Sequence, residues 1–247
     1  VSDSNRSVST AAISCLLKTG SEDNVDRLVK LIYAIIGDVP DDFRVGLVGA
    51  LRTLALTYEA KAGPIVALLC AMLHEAGGYE FKASAVCAVA LVATRHPALL
   101  GPAVAGLCEF VEDCDHPALA VEVLGFLGEK ASALPDPARV LRCVYNRTVL
   151  ESTAVRAAAV SALAKFAAAL PALRPQALTL LRRVCASDSE DGVRDRAVFF
   201  AGAVESVDPE VLHEIVSPTL AVDPDSLASA LETYLASGTE AIAEKPF

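Results

Sequence analysis

The 247-residue chain contains no tryptophan, and only 5% of its residues are aromatic. Platforms that stack single-stranded nucleic acid depend on aromatic side chains, so this deficit counts against one. Positive charge is short as well: 21 Lys and Arg against 31 Asp and Glu leave a net charge of −10. Binding a phosphate backbone demands a concentrated basic surface, and no nucleic-acid partner is expected. A helix needs about 20 apolar residues to cross a bilayer. Among the longest uncharged stretches are residues 83–94 and 97–108, which are too short and suit buried helices of a soluble core. The opening VSDSNRSVST lacks the apolar centre of a signal peptide. It also lacks an initiator methionine, so a fragment of a longer protein is expected.

Signatures of catalysis and metal binding are missing too. The seven cysteines, Cys15, Cys70, Cys87, Cys108, Cys114, Cys143 and Cys185, are widely spaced and form no CxxC pair. In a chain of this size that pattern predicts reduced thiols rather than a disulfide framework. Cys70, Cys108, Cys143 and Cys185 fall at positions expected to be buried, where cysteine acts as a small hydrophobe. The four histidines, His74, His96, His116 and His213, do not stand at metal-ligand spacing. His74-Glu75 matches the start of HExxH, but Gly78 occupies the place of the second histidine. Gly77-Gly78 lacks the rest of a phosphate-binding loop, and no GxSxG occurs. Glu109, Glu112, Asp113 and Asp115 cluster at a helix end and turn, where carboxylates are ordinarily solvated. The sequons at Asn5 and Asn146 carry no meaning in a cytosolic protein. Catalytic, cofactor-binding and metal-ligating residues are therefore assigned to none of these positions.

What the chain has in abundance is alanine, valine and leucine, with 53% hydrophobic residues and a mean hydropathy of +0.45. Alanine and leucine favour helix. VRAAAVSAL at 155–163 is echoed by VRDRAVFFA at 193–201, 38 residues later. Extending that register gives anchors at Val8, Phe43, Phe81, Leu119, Val155 and Val193, at intervals of 35, 38, 38, 36 and 38. Positions four and eight after each anchor are Ala12 and Leu16, Leu47 and Leu51, Ala85 and Val89, Val123 and Leu127, Ala159 and Leu163, Ala197 and Ala201. This spacing marks one face of a helix. Fifteen residues before the last five anchors lie Leu28, Val66, Val104, Val140 and Leu178. Twelve before them lie Leu31, Leu69, Leu107, Cys143 and Leu181, so a second helix precedes each anchor helix. Glycine and proline punctuate the boundaries at Gly20, Gly37, Pro40, Gly77-Gly78, Pro97, Pro135, Pro137 and Pro171.

A helix pair repeated about every 37 residues predicts an all-α solenoid of HEAT or armadillo type, about six units long. The trunk is expected over 1–235, with 236–247 as a tail. The residue after the anchor is basic in four units, at Arg44, Lys82, Arg156 and Arg194, with Asp42, Glu80, Glu151 and Asp191 nearby. Pairing within and between helical turns is the expected role of these charges.

The strings CEFVEDCDHPALAVEVLGFLGEK (108–130) and NRTVLESTAVRAAAVSALAKF (146–166) resemble the gamma-subunit family of coatomer, the COPI vesicle coat. Residues 4–28, 193–200 and the terminal EKPF agree with that resemblance. It implies the later part of a helical trunk related to the large chains of clathrin adaptors, with EKPF leading toward a linker and appendage. It implies a non-catalytic coat subunit, cytoplasmic and peripheral on Golgi membranes and COPI vesicles, serving Golgi-to-ER and intra-Golgi transport. Implied partners are other coatomer subunits (beta, delta, zeta), with an Arf-family GTPase and cargo tails engaged through other parts of the protein. Membrane contact is implied only indirectly, through the assembled coat. A HEAT scaffold of another class, for a phosphatase or a transport receptor, is the alternative, because solenoids are widely reused. A helical enzyme is the third reading, and it requires a cleft with convergent polar groups.

Overall fold

The computed structural model describes Cys15, residues 25–217 and residues 224–236. Among these residues the regular structure is entirely helical. The first helix pair carries α1 (Val25–Ile35) and α2 (Asp41–Thr57). There follow α3 (Glu59–His74) with α4 (Tyr79–Arg95), and α5 (Leu100–Glu112) with α6 (Pro117–Glu129). Next come α7 (Pro137–Asn146) with α8 (Thr153–Ala169), and α9 (Arg174–Ser187) with α10 (Asp191–Ser206). Two further helices close the series, α11 (Pro209–Val216) and α12 (Pro224–Ala236). This is the expected stack of helix pairs. The anchor set at Val8, Ala12 and Leu16 and residues 237–247 of the tail expected over 236–247 lie outside the described residues, while Ala236 ends the last helix.

Proline sets where several helices begin. Pro117, Pro137 and Pro209 stand at the first helical position, where the missing N–H costs nothing and φ is already suitable. Asp136 caps α7 by accepting from the Arg139 amide at 3.2 Å. Short 3-10 turns, Pro97–Leu99, Ala131–Ala133 and Pro171–Leu173, lead from one pair to the next. Each tightens the chain by an i→i+3 hydrogen bond, as from the Leu99 amide to the His96 carbonyl at 2.9 Å.

The ridge read from the repeat is the core. Phe81, Leu119, Val155 and Val193 are buried, as are Leu47, Ala85, Val123, Ala159 and Ala197 four residues on. Leu51, Val89, Leu127, Leu163 and Ala201 are buried as well, while Phe43 is half-buried and packs on the same core. On the preceding helices Val66, Leu69, Val104, Leu107, Val140 and Leu181 complete the interior, with Leu31 and Leu178 partly covered. A solenoid pair cannot bury this face by itself, and the neighbouring pairs supply the cover. Ala159 lies at the tightest kind of position, with none of its surface exposed. Ala159→Phe is expected to overpack α8 and to cost about 1–3 kcal/mol, read as an earlier urea midpoint. An unchanged midpoint would contradict the placement of the ridge.

The register also fixes which side of each anchor helix meets the next pair. Gly128 of α6 lies so close to α8 that a Cβ there would fall 3.2 Å from the Ala162 Cα. Lys165 of α8 reaches back to Glu129 at 3.4 Å, and Arg196 of α10 reaches back to the Ser161 hydroxyl at 3.0 Å. Five residues after the anchor, Val48, Val86, Leu124 and Val160 are buried by this stacking. Their counterpart Val198 in α10 is 58% exposed, beside an equally exposed Phe199. Helix α12 repeats the ridge spacing at Leu227, Leu231 and Leu235, and all three are exposed.

Candidate functional site

Each pair has a turn between its two helices, and these turns line up along one edge of the stack. The four cations that follow the anchors point into that edge. The Arg44 guanidinium donates to the carbonyl of Gly37 in its own turn, at 3.1 Å, and to the carbonyl of Ala76 in the next turn. Lys82 donates to the carbonyls of Leu73 and Glu75. Arg156 donates to the Glu151 carbonyl and holds both carboxylate oxygens of Asp188, at 2.9 and 3.2 Å. Arg194 donates to the carbonyls of Asp188 and Ser189, at 2.8 and 2.9 Å. Leu73 lies in the last turn of α3, where carbonyls have no partner within the helix, and the other carbonyls belong to the turns that follow α1, α3, α7 and α9, so these side chains satisfy the turns.

The structure corrects the expected pairing in detail. Arg194 does pair with Asp191, but Arg44 pairs with Asp41 at 3.3 Å rather than with Asp42. Glu80 is exposed, and the Glu151 carboxylate goes to Arg147 at 2.8 Å. Arg147 also donates to the Glu112 carbonyl at 3.0 Å, one turn back. It thereby serves the unit whose anchor is followed by Ala120 instead of a cation. Backbone carbonyls have no letter in a sequence, which is why this role was not legible there.

With the cations turned inward, the outer rim of the edge is left acidic. Glu75, Glu80, Asp113, Asp115, Glu190 and Asp191 are all exposed, and so are Glu109 and Glu112 beside them. The expectation of solvated carboxylates at 109–115 holds. Between α7 and α8 the turn presents Val149 and Leu150 to solvent, and Leu150 takes a left-handed φ of 61°. An L-residue adopts that region at a cost of about 1–2 kcal/mol, so the turn is held by its neighbours. Thr148, buried next to it, donates to the Tyr145 carbonyl at 2.7 Å.

The titratable groups on this edge are shifted by the stacking of the repeats. Burial pushes the Lys82 amine below the usual lysine range; Glu75 opposes this and the Arg44 charge adds to it. Burial by itself would raise the Asp188 carboxyl. The Arg156 hydrogen bonds, the Glu190 amide and the charges of Arg156 and Arg194 outweigh it and hold Asp188 below the usual carboxylate range. A depressed carboxyl contributes stability above its unfolded pKa, about 3.9, and the contribution is lost as pH falls through the folded value. Asp188→Asn is therefore expected to lower stability at pH 7 and to flatten its decline below about pH 4. Urea midpoints measured from pH 7 to pH 2.5 check this, and parallel curves for the two proteins would refute it.

Three of the four histidines make contacts within the stack. His96 donates to the Ala55 carbonyl at 3.1 Å, His116 meets the Tyr79 ring edge-on at 5.6 Å, and His74 faces Glu109 loosely at 3.9 Å. Among the described residues no three His, Cys, Asp or Glu side chains converge to hold a metal. None of the described helices is long and apolar enough to cross a membrane. Clefts open between pairs among the described residues, and two of them lie between like helices of neighbouring pairs. One of about 350 Å³ lies between α5 and α7, with Arg139, Arg142, Glu109 and Glu112 on its walls. The other, about 330 Å³, lies between α4 and α6 over Leu91 and Phe126. Clefts, acidic rim and exposed apolar side chains together suit docking of other proteins.

Residues 1–208 match the family described as the adaptin N terminal region. The chain is 40% identical over all 247 residues to coatomer subunit gamma-2 of Takifugu rubripes, and equally so to that of Homo sapiens. It is 42% identical over 216 residues, 87% of its length, to coatomer subunit gamma of Drosophila melanogaster, covering 24% of that subunit. The chain spans 28% of the length of the two gamma-2 subunits. Among solved structures, a computationally designed armadillo repeat protein for modular peptide recognition aligns with a TM-score of 0.50. The alignment has 16% identity and covers 83% of this chain and 95% of that one, a likeness of fold alone.

Proposed function

From the premise that this chain belongs to the adaptin N-terminal family, we propose that it is a trunk segment of a COPI-type coat subunit that positions other proteins and catalyses no reaction. The observation that carries this is the unbroken similarity to coatomer gamma subunits along all 247 residues. A shared fold leaves the class of scaffold open, whereas identity of this extent along the whole chain favours the coat. The surface supports the same reading. Val149, Leu150, Val198 and Phe199 expose apolar area that a coat subunit would bury against its neighbours. Partners in this reading are the beta, delta and zeta subunits of coatomer. An Arf-family GTPase and cargo tails would be met through other regions, and Golgi membranes would be reached through the assembled coat.

Reconstitution tests it. The parent-length protein, co-expressed with beta, delta and zeta subunits, is expected to co-purify with them as one complex. Cross-links from residues 25–236 to those subunits are expected in that complex. A parent-length protein that recovers a phosphatase or a nuclear-import cargo from cytosol, with no coat subunit, would favour the other class of scaffold.

A further inference from the structure

The cleft between α5 and α7 holds a feature that docking does not use. Cys108 and Cys143 stand one on each of these helices, 35 residues apart in the chain, and both line the cleft. The Cys143 thiol donates to the Cys108 carbonyl at 3.8 Å, which brings its sulfur against the residue that carries the other thiol. Other cysteines have different company. A Cβ added to Gly106 would fall 2.6 Å from the Cys70 sulfur, so that thiol is wedged against α5. Cys114 donates to the His116 carbonyl at 3.4 Å.

The two thiols of the pair differ. The hydrogen bond to Cys143, followed by burial, pushes the Cys108 thiol up. The hydrogen bond from Cys108 pulls the Cys143 thiol below its usual value; burial opposes this, and Arg147 and Arg139 add to it. Of the two, Cys143 is the more readily deprotonated. A thiolate is the nucleophilic form of cysteine, and a second thiol lining the same cleft is placed to resolve what it forms.

We propose that Cys108 and Cys143 form a dithiol modification site, which an oxidant of the peroxide class converts into a disulfide joining α5 to α7. The Cys143 thiolate attacks one peroxide oxygen and the O–O bond breaks. Cys143 becomes a sulfenic acid and hydroxide leaves. That hydroxide takes the Cys108 proton and becomes water. The Cys108 thiolate then attacks the Cys143 sulfur, the S–O bond breaks, and a second hydroxide leaves as the S–S bond forms. Two electrons pass from the sulfurs to the peroxide, and the second hydroxide matches the proton that Cys143 had released. The product ties two neighbouring repeats across their cleft.

The experiment uses the full chain carrying Cys15→Ser and Cys87→Ser, which removes two exposed thiols. It is exposed to hydrogen peroxide, alkylated with iodoacetamide, digested and read by mass spectrometry. The expected result is a monomer lighter by two hydrogens, with a cross-linked peptide holding Cys108 and Cys143 that dithiothreitol releases. In the further variant Cys108→Ser, dimedone is expected to label Cys143, because nothing resolves its sulfenic acid. Full alkylation of both cysteines after peroxide treatment would overturn the proposal. So would a cross-link through Cys70 or Cys114, or one that appears only between chains.

Discussion

Replacing Phe81 with alanine is expected to remove about 3–5 kcal/mol of stability. Phe81 is fully buried at the start of α4. The Arg44 guanidinium lies 5.3 Å from its ring centre and the Lys82 ammonium 5.7 Å. The substitution therefore takes away both the apolar volume and the π face that meets two desolvated cations. A Cβ at Gly77 would fall 2.5 Å from the ring, so the turn above closes directly on it. Little can collapse into the space, because the lid is backbone. Thermal melts should show a midpoint lower by about 10 °C. A fall of less than about 2 °C would mean that the ring is not a support of the turn.

Arg44→Ala is expected to cost about 2–4 kcal/mol, through groups it leaves behind rather than through its own area. The carbonyls of Gly37 and Ala76 lose their donor, in two different repeats. Arg44→Lys keeps the charge but not the forked geometry, and should recover only part of the loss. Combined with Phe81→Ala, the two losses should fall short of their sum, because the removed groups touch each other. Urea denaturation of the four proteins in this cycle decides it. Strict additivity would mean that cation and ring act independently.

The interior was legible because a solenoid states it several times over. One register placed Phe81, Leu119, Val155 and Val193 in the core, with the residues four and eight positions on. Even the paired thiols had left a trace: Cys108 precedes its anchor by eleven residues and Cys143 by twelve. Adjacent repeats therefore bring them level. Their pairing stayed hidden because a periodicity gives height along the stack and says nothing of which side chains turn toward each other. The inward cations were misread in part, since composition showed the carboxylates nearby and could not show carbonyls. Val198 and Leu150 were invisible for a different reason. Both occupy positions that look ordinary for a buried or loop residue, and only the absence of a covering neighbour makes them surface features.

The two clefts flank one helix pair, α5 with α6, on opposite sides: one separates α5 from α7, the other α6 from α4. A beam notched from both sides is most compliant at the notches. At each notched junction the opposite face is closely seated, Gly128 against Ala162 beside the first cleft and Gly106 against Cys70 beside the second, so each seat acts as a hinge. Thermal energy should thus flex the molecule mainly at its middle, with α1–α4 and α7–α11 swinging as two stiff lever arms. A small angular change there is magnified at the tips, so the spacing of the two ends is adjustable.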